Sequence, residues 1–125
     1  MKHYLETEII PRYETFDKAH RTEHVRQVIA ESLKLASYYV VDERMVYAVA
    51  AYHDIGLCEV RERHHLVSGR IMTADSRLRE WFSEEEIEVM AQAVEDHRAS
   101  LGHPPRSIYG RIVAEADRLI DPMTV

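Results

Sequence analysis

The stretch Met45-Val46-Tyr47-Ala48-Val49-Ala50-Ala51-Tyr52-His53-Asp54-Ile55-Gly56 decides the fold. Met45 to Tyr52 form an apolar and aromatic run of eight residues, far short of the roughly 20 that cross a bilayer. Wound as a helix, this run is hydrophobic on nearly every face, which places it at the centre of a packed domain. Asp42 supplies an N-cap and Gly56 suits a left-handed C-terminal cap, so the sequence predicts a helix over residues 43–54. That helix ends in His53-Asp54. An imidazole and a carboxylate at the end of a buried helix need partners, because either one left unpaired away from water costs several kcal/mol.

Outward from this helix the hydrophobic period stays helical, and almost no alternating β pattern occurs. Upstream, Val25, Val28, Ile29, Leu33 and Ala36 mark one face of a helix over about residues 17–39. Downstream, a polar loop over residues 58–63 leads to a third helix at about residues 65–75. Leu78, Trp81 and Phe82 read as core anchors on a short turn or helix, rather than as an exposed interface. Ser83-Glu84-Glu85-Glu86 is a capping box. It opens a fourth helix whose buried stripe is Ile87, Met90, Ala91 and Val94, continued by His97. A Gly-Pro loop over residues 101–106 breaks the chain before Ser107 caps a last helix. The inward stripe of that helix is Tyr109, Val113, Ala116, Asp117 and Ile120. With no repeat, linker or low-complexity segment, the expected fold is all-α: a single compact helical bundle of about five main helices that forms one domain over residues 1–125.

Composition narrows the function. A chain of 125 residues fits one domain and can bury a core without disulfides. Its one cysteine, Cys58, cannot form an internal disulfide, and Met1-Lys2-His3-Tyr4-Leu5-Glu6 lacks the apolar stretch of a signal peptide. A cytoplasmic protein with no membrane partner is therefore expected. Acids outnumber bases 22 to 16, a net charge of −6, against the clustered Lys and Arg that nucleic-acid backbones demand. Small anionic ligands stay compatible, since they need only a local positive centre such as a metal.

Histidine is in excess, with eight in the chain. His24 edges the first apolar face, His53 and Asp54 end the central helix, His97 continues the fourth stripe, and Asp117 lies on the last. Singly, each has an ordinary reading: His24 as a helix-surface histidine, Asp117 paired with Arg111 or Arg118, His97 bonded to a carbonyl. Jointly, five ionisable side chains from four helices point toward one core. A shared divalent ion accounts for all of them, since imidazole and carboxylate donors suit Zn, Mn, Fe, Co or Ni and helix bundles build metal sites from facing helices.

His24, then His53-Asp54-Ile55-Gly56, then Ala116-Asp117-Arg118 resembles the HD superfamily of metal-dependent phosphohydrolases, whose signature is H…HD…D. The resemblance runs from about residue 17 to 119. It implies that His24, His53, Asp54 and Asp117 hold one metal. Members with two ions add two histidines, and His65 (in His65-x-x-x-Gly69) and His97 fill those places, with Asp54 bridging; His64 is an alternative to His65. The cofactor implied is one or two divalent ions (Mn, Fe, Co, Ni, Zn or Mg). The Gly-Tyr-Pro element of the cyclic-dinucleotide subgroup is absent, and Arg98 stands where an acidic residue is usual. The chain stops eight residues past Asp117, as a minimal form or as part of a longer protein.

The resemblance implies hydrolysis of a phosphoester of a nucleotide or small phosphorylated metabolite by metal-activated water. Asp54 would be bridging ligand and proton acceptor. Arg98 and Arg70 are candidates for gripping phosphate, and His20, one turn before His24, for supporting a ligand or serving as a pocket acid. Two other readings stay open: a di-iron oxygenase built on the same ligands, and a non-catalytic regulatory domain that binds metal and nucleotide.

Overall fold

The computed structural model describes residues 1–55, 64–96 and 104–120, with side chains for all of these except 15–21 and 64. Among the described residues the fold is all-α and contains no strand. A single helical turn, α1 (Lys2–Tyr4), precedes five longer helices: α2 (Glu14–Ala36), α3 (Glu43–Tyr52), α4 (His64–Ala74), α5 (Glu84–Glu95) and α6 (Ile108–Ile120). A 3-10 turn over Ser76–Glu80 links α4 to α5.

α3 is the axis of the bundle. Every residue from Met45 to Tyr52 is buried, and the helix touches α2, α4, α5 and α6. Asp42 caps it as the sequence predicts, its side chain accepting from the Arg44 amide at 2.9 Å. The helix ends at Tyr52, two residues before the expected end. His53 starts a turn in which its amide reaches back only to the Ala50 carbonyl. Gly56, expected to cap this end, lies outside the described residues.

Two close approaches set the packing around α3. A methyl added at Gly69 on α4 would sit 2.9 Å from Glu95 Cγ and 3.2 Å from the Ala91 carbonyl oxygen, so glycine lets α4 lie directly on α5. At Gly110 a methyl would meet Pro105 Cβ at 3.2 Å and Ala93 Cα at 3.5 Å, which brings α6 onto α5 in the same way. The capping box of α5 forms: the Glu86 amide donates to Ser83 Oγ at 3.1 Å, and the Ser83 amide donates to Glu86 Oε1 at 2.8 Å. α5 ends at Glu95; His97, expected to continue its stripe, lies outside the described residues. Asp96 closes the helix, its amide bonding to the Gln92 and Ala93 carbonyls. Its carboxylate, 1% exposed, is gripped by the Arg106 amide and guanidinium at 2.9 Å.

The first thirteen residues carry structure that hydrophobic periodicity does not announce. After α1 the chain widens into a π-helical turn over Leu5–Ile9 and tightens into a 3-10 turn over Ile10–Tyr13 before entering α2. Pro11 accounts for the change, since it has no N–H to continue an α ladder and its ring crowds the carbonyl one turn back. The irregular winding turns Leu5, Ile9, Ile10 and Tyr13 all inward, each 0–1% exposed. Tyrosines fasten this segment. Tyr4 donates to Asp75 Oδ2 at 2.6 Å, Tyr52 donates to the same oxygen, and Tyr47 donates to Glu6 Oε1 at 3.1 Å. Trp81 packs on Tyr4 with ring centroids 5.6 Å apart, and Phe82 is buried; both are core anchors, as expected.

Candidate metal centre

Three helices deliver four ligand-type side chains to one place. His24 comes from α2, one residue before the buried Val25; His53 and Asp54 follow the end of α3; Asp117 lies in the last turn of α6 beside the buried Ala116. One donor atom from each lies within 4.8 Å of the others. His24 Nε2 is 2.9 Å from Asp117 Oδ1 and 4.0 Å from Asp54 Oδ2. His53 Nε2 is 3.4 Å from Asp54 Oδ2 and 3.6 Å from Asp117 Oδ1. The imidazole rings tilt toward each other, centroids 5.7 Å apart.

The donor set fits a divalent cation. Around an ion with bonds of about 2.1 Å, adjacent donors lie roughly 3–3.5 Å apart and opposite ones about 4.2 Å; the four separations above run from 2.9 to 4.0 Å. His53 is oriented for the task. Its Nδ1 lies 2.6 Å from the Ala50 carbonyl oxygen, which can only accept, so Nδ1 carries the proton and Nε2 turns to the cluster. That carbonyl contact on the far ring nitrogen is the arrangement that fixes ligand histidines. His53 is wholly buried and the Asp54 side chain is 8% exposed, against 14% for His24 and 24% for Asp117. The cluster is thus sealed on the α3 side and reaches solvent toward α2 and α6.

The charges respond to this crowding. Burial alone would push the His53 imidazole down, but the Asp54 and Asp117 carboxylates outweigh it and hold the group well above its ordinary value. Burial alone would raise Asp117, whereas hydrogen bonds from His24 and His53 hold its carboxyl well below the usual range. Without an ion, the His53 imidazole serves as counter-charge to the two carboxylates.

The remaining candidates divide. His65 is buried on α4, outside the four-residue cluster. Arg70 is exposed on α4. His97 and Arg98 lie outside the described residues, as do the side chains of His20 and His64. Asp117 pairs with His24 rather than with Arg111 or Arg118, and Arg118 turns instead to Glu115. Sequence reasoning missed Tyr13, whose buried hydroxyl touches the backbone at the end of α3. Its only signal was an aromatic residue two positions after a proline.

A model of the HD domain matches residues 21–120. The chain belongs to the HD domain family. Among solved structures it is similar to the crystal structure of a predicted HD superfamily hydrolase from an uncultured Thermotogales bacterium, with a TM-score of 0.79, 21% identity, and coverage of 97% of this chain and 68% of that one. At that identity the likeness speaks for the fold. No curated protein matches the chain. No helix among the described residues is long and apolar enough to cross a membrane.

Proposed function

We propose that this protein is a metal-dependent phosphohydrolase that cleaves a phosphoester of a nucleotide or small phosphorylated metabolite. The observation that carries this reading is the convergence of two imidazoles and two carboxylates from three helices within 4.8 Å, in a chain of the HD family. His24, His53, Asp54 and Asp117 would hold a divalent ion. When bound, such an ion supplies a water acidified toward neutrality and a positive centre for a phosphoryl oxygen. His65 and His97 would complete a second ion site with Asp54 shared between the two.

The protein's own groups do the rest. The Ala50 carbonyl keeps the His53 ring from turning, so its Nε2 stays aimed inward. Asp54, nearly sealed from solvent, would take the proton from the attacking water. The more exposed edge, at Asp117 and His24, is where a phosphorylated substrate would enter. Arg70 and Arg98 would grip its phosphate, and His20 would support His24 from the preceding turn or act as the pocket acid. The net charge of −6 is no obstacle to an anionic substrate, since bound ions dominate the local field. We further propose that one domain spans residues 1–125, that the protein is cytoplasmic, and that it engages neither nucleic acid nor membrane.

The experiment is hydrolysis of a panel of phosphomonoesters and nucleotides by protein loaded with Mn, Co, Ni or Zn. Metal-dependent phosphate release that is lost in Asp54→Asn, with the fold retained by circular dichroism, is the expected result. Turnover unchanged in Asp54→Asn would contradict the role given to that residue.

A further inference from the structure

α3 stops just before its functional pair, and the end of a helix leaves its last carbonyls without partners inside the helix. At this end the partner comes from the N-terminal segment of the chain. The Tyr13 side chain, 0% exposed, inserts from the 3-10 turn. Its hydroxyl donates to the Ala51 carbonyl at 2.6 Å and accepts from the Asp54 amide at 3.3 Å. One phenol oxygen thus bridges the last turn of α3 and the peptide that carries Asp54. The helical bonding at this point is weak, since the His53 amide reaches the Ala50 carbonyl only at 3.5 Å. Tyr13 shares one buried core cluster with Ile9 and Ile10, and it lies before the start of the family match at residue 21.

From this geometry we infer that Tyr13 is a positioning residue for the metal centre: its hydroxyl sets where α3 ends and so fixes the backbone from which His53 and Asp54 project. The inference rests on the metal-site reading and adds a part to it. The alternative is a tyrosine that only fills the core, and the two differ in what loss of the hydroxyl does to the ion.

The test is Co(II) titration of the metal-free full chain, followed by visible absorption. Tyr13→Phe keeps the ring and removes both hydrogen bonds. It should weaken Co(II) binding by about 10-fold or more, the usual effect of losing a group that orients a ligand, and shift the Co(II) bands. Tyr4→Phe, which loosens the same N-terminal segment at its bond to Asp75, should keep wild-type affinity and spectrum. If Tyr13→Phe does not fold, 4-aminophenylalanine at position 13 retains the donor to Ala51 but little acceptor strength toward Asp54, and the same loss is expected. Wild-type affinity and spectrum in the position-13 variant, or equal weakening in both variants, would overturn the inference. Failure of the wild-type protein to bind Co(II) would overturn it together with the metal-site reading, and that result is distinct from the others.

Discussion

His24, His53, Asp54 and Asp117 are buried or half-buried groups whose polar atoms face one another, so removing one exposes the cost borne by the rest. His24→Ala leaves Asp117 without its 2.9 Å partner. It should lower the stability of the metal-free protein by about 1–3 kcal/mol, the usual penalty for stranding a partly buried hydrogen-bonding group, as read by urea denaturation. The same substitution should abolish any rise in Tm on adding Mn or Co. A full metal-dependent rise in Tm with His24→Ala would remove that residue from the ligand set. These four residues were legible jointly, because each lies on, at the edge of or at the end of an apolar helix face and their order resembles the H…HD…D signature. Tyr13 was not legible, since a buried tyrosine fits any core and only the fold shows which backbone atoms its hydroxyl meets.

Between elements, the α4–α5 contact and the Asp96–Arg106 clamp share Glu95. Its side chain packs over Gly69 and bonds Arg106 at 2.9 Å. Gly69→Ala should displace that side chain and cost about 1–3 kcal/mol in thermal or urea stability, as overpacking does. Arg106→Ala removes the guanidinium from the Asp96 carboxylate, 1% exposed, and leaves it the bond from the residue-106 amide. Because Arg106 is itself 42% exposed, water can partly replace it, and the expected loss is about 2–3 kcal/mol, below the ~3–5 of a fully buried pair. A change under about 0.5 kcal/mol, the size of an ordinary surface substitution, would contradict the clamp. Elements with clean periods and caps were legible: α3 was predicted to within two residues and α5 opens at the expected capping box. The π and 3-10 turns before α2 escaped because Leu5, Ile9, Ile10 and Tyr13 follow no single helical period once Pro11 breaks the ladder.

For the whole molecule, the N-terminal segment is locked down by tyrosine hydroxyls that meet carboxylates. Burial, then the hydrogen bond and charge of Asp75, pushes Tyr4 up to about 12; burial, then Glu6, does the same to Tyr47. Both groups titrate near 10.0 when unconstrained. The unfolded chain therefore loses these protons first, and the stability they carry is complete below pH 10 and drains away as pH rises toward 12. Tm should fall steeply across that window, and less steeply in a Tyr4→Phe, Tyr47→Phe double variant. Equal slopes for the two proteins would place the alkaline weakness elsewhere.

The central claim is that the cluster between α2, α3 and α6 is a metal centre. Elemental analysis of untagged protein, purified anaerobically without chelators, tests it most directly. The account predicts at least one equivalent of a divalent transition metal per chain, falling below a tenth of an equivalent in a His53→Ala, Asp54→Ala variant that still folds. No bound metal in the wild-type protein, even after reconstitution, would contradict it.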